Sequence, residues 1–125
     1  MTLAAMKYVT DLMESIGIPF AFMQWNDEIP SRYWVGSCIE PESLTRDENG
    51  KQDTTVYMQG YAGKENWMLL FQDKETIEKH VSQTAILPNG NGIAVSFEGG
   101  EIVPVGDSDI VSMKINLDVQ EWRVN

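Results

Sequence analysis

Apolar and polar residues recur along the chain with two periods, one typical of helices and one typical of strands. Near the start, five apolar side chains follow the three-and-four spacing of a single helix face: Met6, Val9, Leu12, Met13 and Ile16. Gly17 suits the backbone conformation that closes a helix, and Pro19 cannot continue one. The pattern therefore predicts a first helix that ends near Ile16.

Two aromatic and apolar stretches follow, in residues 18–25 and 32–40, and each is typical of a β-strand. The residues between them, NDEIPS, include Asn, Asp and Pro, which favour turns. We therefore predict a hairpin in which Trp25 lies across from Tyr33 or Trp34, since aromatic cross-strand pairs stabilise hairpins. On this interpretation the stretch MQWNDEIPSRYW seals a core and does not line a pocket for chemistry.

Residues 41–53 form the most polar stretch of the chain, and Asn49–Gly50 is a strong turn signal within it. They predict a long hairpin tip in which Leu44 is the only large apolar residue. Such a segment cannot bury enough apolar surface to hold one conformation by itself, so we expect it to be mobile in a free subunit and ordered in an assembly. A strand is predicted next, in residues 54–62, where Gly60 marks a bulge or a close approach.

A second helix is predicted over residues 64–83. One face of it carries five apolar side chains, with the stem of Lys74 among them: Trp67, Leu70, Phe71, Ile77 and Val81. Met68 and Leu69 lie outside this stripe, so the first turn is apolar nearly all round. We expect such a turn to be buried on two sides or to contact a partner.

The rest of the chain is predicted to form loops and strands. LPNGNG is a loop, and residues 93–105 predict a tight hairpin that turns at Gly99–Gly100. Residues 110–124 alternate apolar and polar positions, as in a strand with one buried face whose apolar residues are Val111, Met113, Ile115, Leu117 and Val119. The element order predicts a single α+β domain, 1–125, with two helices on one face of a mainly antiparallel sheet of five to six strands.

Composition limits the classes of function. The chain has 125 residues and a net charge of −10, which argues against tight binding to nucleic acid or to an anionic membrane surface. The charge is compatible with simple solubility or with a surface that DNA passes without binding. The single cysteine, Cys38, allows no intrachain disulfide and fits a small buried side chain. No apolar run approaches a membrane span of about 20 residues, and no signal peptide is recognisable, so we expect synthesis in the cytoplasm.

No motif in the sequence has the spacing of a catalytic, metal or cofactor site. His80 is the only histidine and lies on an acidic helix, where a solvated residue near the helix C-terminus is expected. DENG and GDSD fail the register of a calcium-binding loop and fit turns. The glycine pairs precede strands, so they do not form the usual phosphate cradle at a helix start. We therefore predict a protein of binding or assembly with no catalytic residue, metal or cofactor.

A set of features recurs together in one order. They are a short helix ending in GIP, an aromatic strand, the WNDEIPSRY turn, a long hairpin, and a helix with the sequence NWMLLFQDKETIEK. This order resembles that of the small tail terminator, or tail-to-head joining, proteins of long-tailed bacteriophages and prophages. The resemblance covers nearly the whole chain as a pattern, and no single motif in it is diagnostic.

The resemblance implies a ring of copies of the chain, usually a hexamer, that caps the tail tube and docks to the head-completion or connector protein. Its partners are the tail tube protein and that connector, while DNA passes without specific binding. It places the protein in the virion, at the head-proximal end of the tail, after synthesis in the host cytoplasm. Family members are not enzymes. Another tail-tube or neck protein of this fold group stays open, as does a small cytoplasmic ligand-binding or regulatory module.

Contacts between subunits or with partners are expected at two places. The first is the start of the second helix, at Met68 and Leu69, for which packing under the long hairpin is the alternative. The second is the polar hairpin, at Glu42, Leu44, Arg46 and Asp47. Open sheet edges would add to these contacts, because a ring can satisfy each edge with a neighbouring copy.

Overall fold

The structure, a computed structural model of the chain, describes residues 1–24, 28, 30–39, 51–104 and 109–123. These residues form two α-helices, α1 (Leu3–Ser15) and α2 (Trp67–His80), and a 3₁₀ turn (Lys64–Asn66) that leads into α2. They also form six strands, which are β1 (Phe20–Phe22), β2 (Arg32–Ile39), β3 (Gln52–Gly63), β4 (Gln83–Ile86), β5 (Gly92–Pro104) and β6 (Ile110–Trp122).

All six strands belong to one curled sheet in the order β1-β2-β3-β6-β5-β4. The β1–β2 pair is parallel, and the other four pairs are antiparallel. Side chains from α1, α2 and one face of the sheet make a common apolar core. The expected α+β class, with two helices against a mainly antiparallel sheet, is confirmed.

Helix α1 begins and ends at the residues that its sequence favours. The hydroxyl of Thr2 accepts a 3.2 Å hydrogen bond from the amide of Ala5, which satisfies one of the free N–H groups at the helix start. Gly17 follows the last turn with a φ of 80°, and the N–H of Ile18 bonds to the carbonyl of Met13 at 2.9 Å. This closure is the one that glycine allows without steric strain. The helix buries Ala5, Val9, Leu12 and Met13.

The predicted hairpin between residues 18–25 and 32–40 is wrong. Strand β1 has only three residues, and it runs parallel to β2 with Phe20 level with Trp34. Directly after β1, Met23 has a φ of 71°, and the N–H of Gln24 bonds to the carbonyl of Phe22 at 2.8 Å. This tight three-residue turn ends the strand before an antiparallel return can begin.

Two phenylalanines of β1 pack closely against β2. The rings of Phe20 and Phe22 lie over Gly36 of β2, where an added Cβ would come within 2.5 Å of the Phe20 ring. Both rings lie on the side of the sheet that carries the helices, where they pack against the core. The expected partner of Tyr33 or Trp34, Trp25, lies outside the described residues. Tyr33 instead stacks on Tyr61 of β3, with 5.3 Å between the ring centroids.

The predicted hairpin at Gly99–Gly100 is also wrong, because β5 is one continuous strand of 13 residues. It pairs with β6 from Gly92 to Pro104, and the register shifts once, between Phe97 and Gly99. The glycines therefore serve a bulge, at which Gly99 has a φ of 128°. The sequence interpretation also extended the second helix too far, to Gln83, which is the first residue of β4.

Two other sequence expectations are confirmed. The buried residues of β6 alternate as predicted, with Met113, Ile115, Leu117 and Val119 all in the core. Gly60 is a site of close approach and not a bulge: the register of β3 is continuous there. An added Cβ at Gly60 would lie 2.8 Å from the ring of Trp34, the largest fully buried side chain.

Candidate functional site

The structure places the predicted contact residues of the second helix at the start of α2. Met68 is 59% exposed, whereas Leu69 is half-buried. The other predicted contacts, Glu42, Leu44, Arg46 and Asp47, lie outside the described residues, as does the predicted hairpin tip that contains them. Only the strands that flank this segment are described, and β2 and β3 are antiparallel neighbours.

Three large apolar side chains are exposed at the end of the sheet where α2 begins, and we call them the α2-end surface: Trp67, Met68 and Ile110. The N–H of Lys64 bonds to the carbonyl of Asp109 at 2.7 Å, which holds the approach to α2 against the start of β6. Trp67 is 45% and Ile110 is 49% exposed. In this isolated chain the first turn of α2 is thus not buried on two sides.

A small apolar cleft adjoins this surface. It has a volume of about 120 Å³ and is lined by Pro30, Ser31, Tyr33, Tyr61, Ala62, Gly63 and Ile110. The stacked tyrosine rings form one of its walls. Burial, together with the neighbouring Tyr33, raises the pKa of Tyr61 above its ordinary value. The cleft therefore offers apolar and aromatic atoms to a visiting side chain.

The sheet face that is not covered by the helices, here called the open face, is mixed in character. Two cavities of about 380 Å³ and about 500 Å³ lie on it, and both are lined by Tyr57 and Lys114. Towards the far end of this face, Asp118 has a pKa that is raised by burial and by the nearby carboxylates of Asp53 and Glu98. Acidic and aromatic groups thus share the open face.

Beneath the α2-end surface lies a buried polar cluster that the sequence interpretation missed. Asp73 of α2 is 4% exposed and accepts hydrogen bonds from Arg32 Nε at 3.0 Å and from Trp34 Nε1 at 2.8 Å. Arg32 also donates to the carbonyl of Gly17, just after α1, at 3.2 Å. The cluster therefore ties α2 to β2 and to the end of α1. A signal was present, because Leu70, Asp73 and Ile77 share the three-and-four spacing of one helix face.

A second buried carboxylate, Glu121 of β6, joins the start of α1 to the β4–β5 turn. It accepts hydrogen bonds from the amide and hydroxyl of Thr2 at 3.0 and 2.8 Å, and from Asn91 Nδ2 at 2.8 Å. Burial alone would raise the pKa of Glu121, but these hydrogen bonds and the N-terminal ammonium outweigh burial and lower it. The sequence signal was the position of Glu121 itself, which continues the buried alternation of β6 after Val119.

The residues singled out for chemistry are far less organised. His80 is exposed at the end of α2, and Cys38 is half-buried against the core. Among the described residues, no three His, Cys, Asp or Glu side chains are grouped so that they could hold a metal ion.

Neither helix in the described part of the chain is long and apolar enough to cross a membrane.

No protein-family model matches the chain, and no curated protein matches it.

Proposed function

We propose that this chain is a structural subunit of a long-tailed bacteriophage, and that a ring of its copies caps the tail tube and joins the tail to the head. The observation that carries the proposal is the α2-end surface, where three large apolar side chains are exposed beside an apolar cleft. The order of sequence features, which resembles that of tail terminator proteins, supplies the particular role.

The α2-end surface has the character of a protein contact. Single exposed apolar side chains are normal on soluble proteins, but grouped ones mark interaction sites. Here Trp67 and Met68 are adjacent in sequence, and the Lys64–Asp109 hydrogen bond joins the turn that leads into α2 to the residue before Ile110. Arg32 and Asp73 fix the start of α2 from below, so the surface is presented on a rigid support.

The charge of the chain suits a channel for DNA. The net charge of −10 and the carboxylates of Asp53, Glu98 and Asp118 on the open face repel a nucleic-acid backbone. A ring that turns this face inwards would let DNA pass without holding it. On this proposal the protein partners are further copies of the chain, the tail tube protein and the head-completion or connector protein.

A small ligand-binding module is the second candidate, and the cavity of about 380 Å³ on the open face favours it. Molecular mass distinguishes the two candidates. A ligand-binding module is expected to remain a monomer or dimer, whereas the proposed subunit forms rings alone or on tail tubes.

The test compares two substitutions on α2 that change charge equally. Met68→Glu places a carboxylate in the α2-end surface, and Gln72→Glu places one at another exposed position of the same helix. Both proteins should melt within about 3 °C of the wild type, because exposed substitutions change stability little. Sedimentation and electron microscopy with uncapped tail tubes should show rings and capped tubes for wild type and Gln72→Glu, but not for Met68→Glu. A wild type that stays monomeric and leaves tubes uncapped would refute the proposed function.

A further inference from the structure

The two edges of the sheet are each covered over only part of their length. At one edge, β1 pairs with residues 34–36 of β2, and among the described residues no strand lies beside residues 37–39 on that side. At the other edge, β4 pairs with residues 92–95 of β5, and residues 96–104 pair only with β6 within the described part of the chain. Each edge of the sheet therefore has a step, at which a short outer strand covers part of a longer strand and leaves the rest of that strand uncovered.

The register shows that the two steps are complementary. Across the sheet, Phe20 is level with Ile102 of β5, and Phe22 is level with Gly100. The projecting β1 of one copy therefore lies at the height of the uncovered part of β5 in a copy placed beside it. Strand β4 does not block this approach. It covers β5 only as far as Val95, and the row of Val95 lies one row beyond Ile39, the last residue of β2.

The strand directions and lengths also agree. Strand β1 runs parallel to β2, and β5 runs in the opposite direction, so two copies with the same orientation bring β1 and β5 together as an antiparallel pair. The uncovered part of β5 is limited by the bulge before Gly99 and by Pro104, which has no N–H to donate. Only a short strand fits between these limits, and β1 has three residues.

The backbone of β1 has hydrogen-bonding groups directed away from its own sheet. Trp34 donates to the carbonyl of Pro19, and Met23 donates to the carbonyl of Gly36, at 2.9 and 2.8 Å. Because successive residues of a strand direct their backbone groups to opposite sides, Phe20 directs its N–H and carbonyl outwards, and Phe22 directs its N–H outwards. The carbonyl of Phe22 already accepts from Gln24. The charged side chain of Glu101 and the bulge protect β5 from unselective pairing with other chains.

We propose that β1 of one copy pairs antiparallel with residues 100–102 of β5 in the next copy. This inference rests on the proposed function, since it specifies how neighbouring copies join in the ring. The contact is head-to-tail: it uses one edge of each copy and leaves the other edge free for a further copy, as ring closure requires.

Disulfide trapping tests the pairing. Ala21 of β1 is level with Glu101 of β5, and both alternate onto the open face. In a Cys38→Ser background, Ala21→Cys and Glu101→Cys proteins are mixed and oxidised, and the double variant is oxidised alone. Facing residues of antiparallel strands have Cα separations of about 4.5–5.5 Å, within the range that a disulfide spans. The mixture should give a covalent dimer, and the double variant a ladder that extends to the full ring.

The matched control replaces Glu101→Cys with Ser96→Cys, an exposed position on the same strand and face that lies four rows from the level of Ala21 and is therefore beyond its reach. The pairing is overturned if a disulfide forms through Ser96→Cys in place of Glu101→Cys. It is also overturned if no disulfide forms in a protein whose mass shows a ring. Both outcomes leave the proposed function standing. A wild type that never assembles overturns both.

Hydrogen exchange provides a second test that needs no substitution. The amides of Phe20 and Phe22 should exchange at least about tenfold more slowly in assembled than in dilute monomeric wild type, because each gains an acceptor. Equal exchange in the two states contradicts the proposed strand pair, even where a cysteine variant fails to fold.

Discussion

The indole Nε1 of Trp34 donates a 2.8 Å hydrogen bond to Asp73, whose carboxylate also takes the Nε of Arg32 at 3.0 Å. Both donors come from β2, and the acceptor comes from the second turn of α2. A single buried carboxylate thus joins that helix to β2.

Replacement of Asp73 should therefore be among the most destabilising single changes. Asp73→Ala leaves the indole N–H and the Arg32 guanidinium without their acceptor in a buried site, and we expect a loss of about 3 kcal/mol in the free energy of unfolding. Urea denaturation measures the loss. Glu75→Ala, two residues further along and exposed, is the control and should change stability by less than about 0.5 kcal/mol. Equal stabilities of the two variants would show that the cluster contributes little.

Gly60 should tolerate no side chain. Its Cβ would lie 2.8 Å from the Trp34 ring, so Gly60→Ala forces a buried indole to move, at a cost of roughly 1–3 kcal/mol. Gly63→Ala is the matched control from the same strand, because its Cβ would meet only Glu65 Oε1 at 3.9 Å and its φ is −62°. Thermal melting of the two variants should differ clearly, and similar melting temperatures would count against the tight Trp34–Gly60 contact.

Glu121 should make stability depend on pH in the acidic range. The pKa of Glu121 in the folded protein is lowered. The stability that its charged form contributes is therefore fully present above the ordinary glutamate pKa of about 4.3 and is lost as the pH falls through the folded pKa. Glu121→Gln should thus be less stable than wild type at pH 7, and the difference should narrow on acidification below about pH 4.3. Denaturation series at several pH values measure the difference. A stability difference between Glu121→Gln and wild type that stays constant from pH 7 to pH 3 would contradict this prediction.

Asp118 should show the opposite dependence. Its folded pKa is raised by burial and by Asp53 and Glu98, so its charged form opposes folding until the pH falls through that value. Asp118→Asn is expected to be more stable than wild type at pH 7, with an advantage that shrinks as the pH is lowered. Asp11→Asn, on the exposed side of α1, serves as the control for general charge reduction. Loss of stability in Asp118→Asn at pH 7 would contradict the repulsion inferred here.

The helices and the last strand could be predicted from the sequence because local chemistry decides them. The three-and-four spacing, Gly17 and Pro19 fix α1, and strict alternation from Met113 to Val119 fixes the buried face of β6. In each case the signal lies within the element itself. The local sequence also indicated that another group approaches Gly60 closely, although it could not identify this group as the Trp34 ring.

The strand pairings could not be predicted because distant residues decide them. Gly99 provides a positive φ that suits either a turn or a bulge, and the choice depends on β6, which is long enough to pair with all of β5. The close packing of β1 on β2 likewise depends on Gly36, which leaves room for two phenylalanine rings. Of the residues of the α2-end surface, Met68 was indicated by the helical spacing, whereas Ile110 lies at this end of the sheet because β6 begins level with Gly63.

The central position of β3 and β6 has a consequence for the newly made chain. Gln52 pairs with Glu121, and Gly63 with Ile110, so the middle of the sheet cannot close until the ribosome has made residue 121. Until then β3 has a partner on one side only, and contacts so distant in sequence form slowly. Translation therefore passes through a long stage with an incomplete sheet, which is the form most prone to aggregate. Synthesis at low temperature should raise the yield of folded subunit, because hydrophobic association between incomplete chains weakens on cooling.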